Sequence, residues 1–183
     1  MNKLKILSVG KKYVVMLLVL ALASICYQSF AALSHLSNGE RKRIVYEMYN
    51  DYKKKSFPDV QDISPDMAMK LMKSEQVVFV DARTPQERRV SMLPGALSVK
   101  EFQKNLNSYR DKTIISYCTI SYRSAKLTRK LRDKGFTAYN LEGGLLAWVL
   151  EGGKVYDSSG VTKRIHVYGE RWDYPPEGYK AVW

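Results

Sequence analysis

Short apolar runs alternate with helix-like segments between residues 77 and 150, and this alternation restricts the chain to few architectures. A continuous apolar run bounded by turn residues is typical of a strand that is buried on both faces of a sheet. Strands that alternate with helices indicate βαβ units and therefore a mostly parallel sheet. We predict an α/β protein with strands at residues 77–80, 96–99, 113–117 and 136–141.

Helix signals lie before and between these runs. Ser64 is a predicted N-cap with Pro65 at the first helical position, and Gly135 is a predicted helix end. Helices are predicted over residues 101–106 and 124–134, and a further short helix is expected after the last strand. Helices therefore separate successive strands, as crossover connections in a parallel sheet require.

Four segments of different character divide the 183 residues, a length that corresponds to about one domain. Apolar residues at helical spacing, such as Ile44 and Met48, predict an amphipathic helix before the α/β region. Strand-like alternation returns at residues 154–156 and 164–168, on either side of a turn at residues 158–160, which indicates a hairpin before an aromatic tail. The predicted boundaries are 1–32 for a targeting segment, 33–58 for an N-terminal helical extension, 59–153 for the α/β domain and 154–183 for a C-terminal aromatic extension.

The first segment has the order of a secretory signal. Four lysines and no acidic residue precede an apolar run over residues 13–23, and smaller, more polar residues follow. Ser29-Phe30-Ala31 offers a cleavage pattern, whereas an uncleaved run to residue 33 reaches the length of a membrane anchor. The basic side is N-terminal, so both outcomes export the domain. We expect an extracytoplasmic, periplasmic protein, soluble after cleavage or membrane-associated through this segment.

The formal charge of +12 raises nucleic acid as a partner. Four of these charges belong to the targeting segment, and most others are interleaved with acids, as in Lys53–Lys55 beside Asp51 and Asp59. The sequence has no arginine-rich stripe and no RNA-binding signature. We therefore expect a solvated basic surface and no nucleic-acid partner.

The sequence contains two cysteines, Cys26 in the targeting segment and Cys118 in the α/β region. If the targeting segment is removed, a single thiol remains, which cannot form an internal disulfide. A zinc site built from several cysteines is likewise excluded. A lone cysteine is often only a small buried apolar side chain, so the neighbours of Cys118 decide its role.

Cys118 stands at the end of a predicted strand, four residues before Arg123 at the start of a predicted helix. The carboxyl edge of a parallel sheet is where α/β proteins place their ligands. A short strand-to-helix loop forms a nest of backbone N–H groups for an anion, and the helix N-terminus adds about half a positive charge. Arg123 adds a permanent cation. These features favour the thiolate, which is the nucleophile, and would also hold a persulfide anion on Cys118.

Three further motifs surround this loop in a fixed order. Val78–Glu87 contains an Asp-x-Arg turn, Leu93–Ala96 contains a Pro-Gly turn, and Leu141–Trp148 contains Glu-Gly-Gly followed by tryptophan. Together with the Cys118 loop, this order is similar to that of the rhodanese-like domain family, in particular its single-domain sulfurtransferases. Four ordered matches across about seventy residues are more specific than any one motif.

The resemblance implies a three-layer α/β/α fold with a mostly parallel five-stranded sheet. It implies that Cys118 carries a persulfide and that the loop to Arg123 cradles it. Asp81 and Arg83 follow a predicted strand near this loop and are candidate supporting residues, although structural hydrogen bonding is an equal alternative for Asp81. The resemblance implies no metal and no organic cofactor. The remaining residues assigned to the active-site loop are Thr119, Ile120, Ser121, Tyr122 and Ser124.

The predicted activity is sulfur transfer in two half-reactions. Cys118 would take sulfane sulfur from a small donor, such as thiosulfate or polysulfide, and pass it to a thiol or to cyanide. One alternative is a non-enzymatic sulfur carrier or protein-interaction module with the same fold. A second, less favoured alternative is a phosphatase or arsenate reductase, because the related loops of those enzymes are longer than the four residues between Cys118 and Arg123.

Several details qualify these predictions. A glycine is common in the family at the position of Ser121, and a side chain there resists a positive φ, so we expect a slightly reshaped loop. The loop lacks Lys or Arg before Arg123, so we expect poor use of the doubly charged thiosulfate.

Arg83 and Glu87 are four residues apart and are predicted to form a local ion pair. Sequence alone gives no geometry for His166. Packing is the expected role of Trp172, Tyr174, Tyr179 and Trp183.

Overall fold

The computed structural model describes residues 16–25 and 36–183, which fall into two units. The first unit, up to Ser37, contains helix α1 (residues 16–25), whose large apolar side chains are exposed. Among the described residues, no helix combines the length and apolar character needed to cross a membrane. Cys26 and the predicted cleavage pattern lie outside the described residues, so export and anchoring stay predictions.

The second unit, Asn38–Trp183, contains the α/β fold. Its helices and strands occur in an order that alternates through the sheet and ends in short strands. In chain order they are α2 (Asn38–Ser56), β1 (Asp62–Ile63), α3 (Pro65–Leu71), β2 (Val77–Asp81), α4 (Pro85–Val90), β3 (Leu97–Ser98), α5 (Val99–Lys104), a 3₁₀ turn (Leu106–Tyr109), β4 (Thr113–Tyr117), α6 (Tyr122–Asp133), β5 (Ala138–Leu141), α7 (Gly144–Leu150), β6 (Val155–Asp157), β7 (Gly160–Thr162), β8 (Arg164–His166), a 3₁₀ turn (Glu170–Trp172) and β9 (Lys180–Val182).

The central sheet has five strands in the order β1-β5-β4-β2-β3, and every pairing is parallel. Strand β4 is central because its apolar, β-branched run can be buried on both faces. In the register of β2 and β4, Asp81 lies opposite Tyr117. The residues that follow these strands, including Cys118, therefore emerge at the same carboxyl edge of the sheet. The predicted α/β fold with a five-stranded parallel sheet is confirmed.

Two hydrophobic clusters form where the flanking helices pack against the sheet. Phe79 and Ile115 contribute to one cluster together with residues of α2, α3 and α7. Their neighbours Val80 and Ile114 contribute to the other cluster together with residues of α5 and α6. Successive side chains of a strand point to opposite faces, so the two clusters lie on opposite sides of the sheet. This arrangement produces the three layers of an α/β/α fold.

The helix starts follow from local capping, and one of them corrects the sequence analysis. Ser64 accepts a hydrogen bond from Met67 N at 3.3 Å and precedes Pro65, as predicted. The predicted strand over 96–99 is shorter, because Ser98 caps α5 in a reciprocal capping box with Glu101. The helix therefore begins at Val99, where the sequence analysis placed the end of a strand.

The C-terminal segment forms a hairpin from other residues than expected. Strand β6 pairs antiparallel with β7, whereas β8, the expected hairpin partner, pairs parallel with β9. The turn before Gly160 is tight, so the residues that flank it directly pair with each other. Val155, Ile165 and Val167 are buried in the cluster shared with α2, α3 and α7. Trp172, Tyr174 and Tyr179 pack against this cluster, whereas Trp183 is 64% exposed.

Candidate active site

The loop that follows β4 is held by the first turn of α7. The backbone O of Cys118 accepts a hydrogen bond from Leu145 N at 2.8 Å, and that of Thr119 accepts one from Leu146 N at 3.1 Å. Among the described residues, the backbone N–H groups of Thr119, Ile120 and Ser121 have no acceptor. The carbonyl groups of Cys118 and Thr119 therefore bind α7, whereas the backbone N–H groups of the loop remain available to bind an anion.

Ser121 adopts the left-handed conformation that the sequence analysis expected a side chain to resist. Its φ is 69°, and its side chain is fully buried. The Ser121 hydroxyl donates a hydrogen bond to the backbone O of Leu141 at the end of β5. A bond that only the serine side chain supplies therefore offsets the backbone strain of a non-glycine residue.

Substitutions at Ser121 are expected to separate these two contributions. Ser121→Ala keeps the strain and loses the bond, so we expect it to lower the free energy of unfolding by about 1–2 kcal/mol. Ser121→Gly loses the bond but relieves a strain of about 1–2 kcal/mol, so it should stay within about 1 kcal/mol of wild type. Urea unfolding measures both variants. An alanine variant as stable as the glycine variant would contradict this account.

Arg123 is paired with Glu87, a residue 36 positions earlier in the chain. Arg123 Nη1 donates to Glu87 Oε2 at 2.7 Å, and Nη2 donates to Oε1 at 2.5 Å. Glu87 Oε2 also accepts hydrogen bonds from the Thr84 N–H and hydroxyl at 2.9 Å, in a capping box that starts α4. Burial opposes ionisation of Glu87, but the bonds from Arg123 and Thr84 outweigh it and lower its pKa to about 2.

Arg123 also interacts with Cys118. Burial lowers the pKa of Arg123, whereas the hydrogen bonds to Glu87 and the interaction with the Cys118 side chain raise it. The guanidinium therefore stays charged, and both of its terminal nitrogens bind the Glu87 carboxylate. The loop-to-helix arginine lies where it can stabilise negative charge on Cys118.

The predicted ion pair between Arg83 and Glu87 is wrong. Arg83 instead forms a bidentate pair with Asp81, with bonds of 2.9 Å and 2.7 Å between fully buried side chains. Helical spacing does not apply to Arg83 and Glu87, because α4 begins at Pro85 and Arg83 precedes it. Thr84 followed three residues later by Glu87 is the sequence pattern of a capping box, and it indicated that Glu87 binds the start of α4 instead of Arg83.

Asp81 and Arg83 support the loop from behind. Arg83 Nη2 donates to the backbone O of Ser91 at 2.6 Å, and its guanidinium lies over the Tyr117 ring, 5.5 Å from the centroid. The Tyr117 hydroxyl accepts a hydrogen bond from Leu93 N at 3.2 Å. The buried pair of Asp81 and Arg83 thus holds Tyr117, the residue directly before Cys118, in place.

A cavity of about 280 Å³ opens over the loop. Cys118 is buried, with no exposed surface, and contributes to the lining of this cavity. Four of the six lining residues are apolar or aromatic, and Arg123 provides the charged group. The lining residues are Cys118, Ile120, Tyr122, Arg123, Tyr168 and Trp172.

The C-terminal segment supplies part of this lining, which the sequence analysis missed. The Arg123 guanidinium lies over the Tyr168 ring, 5.1 Å from its centroid. Tyr168 has a φ of 70°, and its N–H donates to His166 Nδ1 at 3.1 Å. His166 Nδ1 is thus an acceptor and carries no proton, although it lies 3.9 Å from Glu87 Oε1. Burial lowers the pKa of His166, and the arginines Arg83 and Arg123 oppose the effect of Glu87.

Helix α2 closes the site from the N-terminal side. The ring of Tyr52 makes edge contacts with Tyr122 and Trp172, at centroid distances of 5.8 Å and 6.4 Å. Its hydroxyl is buried and has no hydrogen-bond partner among the described residues. Burial and then the interaction with Cys118 raise the pKa of Tyr52, so it remains a neutral phenol. Segments on both sides of the α/β region therefore meet at Cys118.

Not all predicted loop residues face the cavity. Ser124 is buried, and its hydroxyl donates to Asn140 Oδ1 at 2.6 Å, which ties α6 to β5. Thr119 and Ser121 are also fully buried, and Thr119 Oγ1 lies 3.4 Å from Glu87. Ile120, Tyr122 and Arg123 line the cavity together with Cys118. Among the described residues, no group of His, Cys, Asp and Glu could hold a metal ion.

Comparisons with known proteins match part of this chain. A family model described as rhodanese-like domain matches residues 64–151. The tRNA sulfurtransferase of Desulfurococcus amylolyticus is 36% identical over 109 residues, which cover 56% of this chain and 22% of that protein. A sulfurtransferase of Allochromatium vinosum is 30% identical over 93 residues, which cover 49% of this chain and 87% of that protein. This chain spans less than a quarter of the first relative and most of the second.

A solved structure also matches about half of this chain. The rhodanese-like domain protein from Staphylococcus aureus is 33% identical, with a TM-score of 0.43. The match covers 49% of this chain and 91% of that one. The cavity residues Tyr168 and Trp172 lie outside the range 64–151 that the family model matches, as does Tyr52, which packs on Trp172.

Proposed function

The chain belongs to the rhodanese-like domain family, and from that premise we propose that it is a sulfurtransferase in which Cys118 carries the transferred sulfur. One observation carries the proposal. Cys118 lines a cavity in a loop whose N–H groups are unpaired among the described residues and whose far end holds Arg123. This arrangement would hold the extra negative sulfur of a persulfide.

The proposed reaction has two half-reactions. In the first, the Cys118 thiolate attacks the sulfane sulfur of a donor, a new sulfur–sulfur bond forms, and the donor's own bond to that sulfur breaks. The electron pair of the broken bond leaves with the donor remnant. In the second, an acceptor thiolate or cyanide attacks the outer sulfur of the persulfide and regenerates the Cys118 thiolate. Arg123 and the loop N–H groups stabilise the negative sulfur throughout.

The test is the intact mass of the full-length chain before and after separate treatment with thiosulfate, polysulfide and an organic thiosulfonate. We expect a gain of about 32 mass units per sulfur atom, lost on addition of cyanide with formation of thiocyanate. Cys26 also carries a thiol, so the Cys118→Ser variant serves as the control and should lose the cyanide-sensitive adduct.

Two outcomes would redirect the proposal. If no donor loads Cys118 while its thiol stays intact, the chain is a binding or interaction module with this fold. If the chain hydrolyses small aryl phosphates and takes up no sulfur, the loop serves phosphoryl chemistry. Adduct formation without transfer to any thiol would describe a sulfur carrier that does not turn over.

We also propose that residues 1–32 export the domain to an extracytoplasmic compartment or anchor it there. The four lysines ahead of the apolar run support this proposal, as do the exposed apolar side chains of α1. Cell fractionation and the N-terminal sequence of the isolated protein distinguish cleavage from anchoring. Recovery of the intact chain in the cytoplasmic fraction would contradict both.

A further inference from the structure

The cavity over Cys118 has an apolar and aromatic lining. Ile120, Tyr122, Tyr168 and Trp172 contribute an aliphatic side chain and three aromatic rings. Its volume of about 280 Å³ lies just below the roughly 300–1,000 Å³ of pockets that hold drug-sized ligands, so it suits a smaller molecule. Aromatic side chains at such a site recognise a flat apolar group through ring contacts.

The charge of the cavity does not favour a doubly negative ligand. Among the described lining residues, Arg123 has the only charged side chain, and both of its terminal nitrogens bind the Glu87 carboxylate. Tyr168 covers the guanidinium plane, and His166 is neutral because its Nδ1 accepts a hydrogen bond. A dianion would be partly desolvated here without a cation of its own, which is unfavourable.

Two of the three aromatic residues that line the cavity come from outside the family region. Tyr168 and Trp172 come from the C-terminal segment, and Tyr52, which packs on Tyr122 and Trp172, comes from α2. All three lie outside residues 64–151. Two segments that flank the family region thus complete one wall of the site. Tyr168 is a non-glycine residue at positive φ, and backbone strain of this kind is retained at functional sites.

We propose that the sulfur donor is a singly charged sulfane compound that carries an aromatic or similarly flat apolar group, bound against Tyr122, Tyr168 and Trp172. This inference rests on the proposed sulfur transfer and names its substrate class. For an aryl thiosulfonate, the Cys118 thiolate bonds to the sulfane sulfur and the bond to the sulfonyl sulfur breaks. Its electron pair leaves with the aryl sulfinate. The reactants, thiolate and donor, carry two negative charges in total, and the products, persulfide and sulfinate, also carry two.

The test compares kcat/KM of the full-length chain for benzenethiosulfonate, methanethiosulfonate and thiosulfate with one thiol acceptor. Each value is divided by the rate of the same donor with a small thiol in solution, which removes intrinsic reactivity. We expect the aryl donor to exceed the methyl donor by about tenfold, as ring contacts provide. We expect thiosulfate to fall below the methyl donor by about tenfold, because a second charge must be desolvated.

Variants of one tryptophan test where the preference arises. Trp172→Ala should reduce the aryl-over-methyl ratio by about fivefold, whereas Trp172→Phe, which keeps a ring, should retain most of it. The matched control is Trp183→Ala, an exposed aromatic residue outside the cavity, which should leave the ratio unchanged. Circular dichroism establishes that each variant is folded.

The outcomes separate this inference from the proposed function. Loading of Cys118 by thiosulfate as efficient as by the aryl donor, with a ratio that Trp172→Ala does not change, would overturn the substrate class and leave sulfur transfer intact. Failure of all three donors to load Cys118 would overturn both. A fall in the ratio that Trp183→Ala shares with Trp172→Ala would also contradict the assignment to the cavity.

Discussion

Replacing Gly144 by alanine is expected to displace the Cys118 loop and to reduce sulfur transfer by about 100-fold, the usual effect of a misplacement of about 1 Å. A Cβ atom at this position would lie 2.5 Å from the backbone O of Cys118 and 2.6 Å from that of Thr119. Both carbonyls are held by the first turn of α7, so neither can move without breaking those hydrogen bonds. Gly144 also has a φ of +66°.

The same substitution should destabilise the fold. The clash meets backbone atoms and adds to the strain of a side chain at positive φ, so we expect a loss of about 2–5 kcal/mol in the free energy of unfolding. Urea unfolding and kcat/KM with any donor that loads Cys118 measure the two effects. The clash involves the loop itself, so stability and transfer should fall together.

Gly152→Ala is the matched control, because Gly152 follows the same helix. Its φ is +87°, but nothing lies within 4 Å of a Cβ atom placed there. We expect a loss of about 1 kcal/mol from backbone strain alone and unchanged sulfur transfer. If Gly144→Ala resembled Gly152→Ala in both measurements, the close approach of α7 to the loop would not be what positions Cys118.

Replacing Glu87 by glutamine is expected to lower the free energy of unfolding at neutral pH by about 3 kcal/mol, the equivalent of a pKa lowered from 4.5 to about 2. Glu87 is only 3% exposed, so solvent screens this contribution little. The substitution removes the charge that pairs with Arg123 and weakens the cap at Thr84. Arg123 would lose its orientation at the loop, so we expect sulfur transfer to fall by about 10–100-fold.

The pH dependence of stability follows from the lowered pKa of Glu87. The carboxylate binds fewer protons in the folded than in the unfolded chain, so its contribution is fully present above about pH 4.5. It is lost as the pH falls towards about 2. The stability difference between wild type and Glu87→Gln should therefore be constant near neutrality and disappear by about pH 2. A difference that persists there would assign the effect to packing.

Glu101→Gln provides the control for this substitution. Glu101 also completes a capping box, with Ser98, but its side chain is 58% exposed. We expect a change within about 0.5 kcal/mol and no effect on sulfur transfer, as for other exposed positions. Equal effects of the two glutamine variants would mean that Glu87 acts only as a helix cap.

Local patterns in the sequence determined the architecture and the identity of the nucleophile candidate. The β-branched run Thr113–Tyr117 specifies a strand wherever it is buried, and Cys118 must then lie at its carboxyl end. Ser64 and Pro65 specify a helix start through atoms only three residues apart. Such signals depend on neighbours along the chain, so sequence analysis could identify them. The loop residue Arg123 was predictable for the same reason.

Only the tertiary structure decided the partners of the charged side chains and the walls of the cavity. Glu87 faces both Thr84 and Arg123, and a residue 36 positions away cannot be found from spacing along one helix. Tyr168 and Trp172 reach Cys118 because β8 pairs with β9 and the C-terminal segment packs on the central fold. These contacts depend on how distant elements pack, which no local pattern records. The sequence by itself determined the fold and the thiol, and long-range packing decided the environment of that thiol.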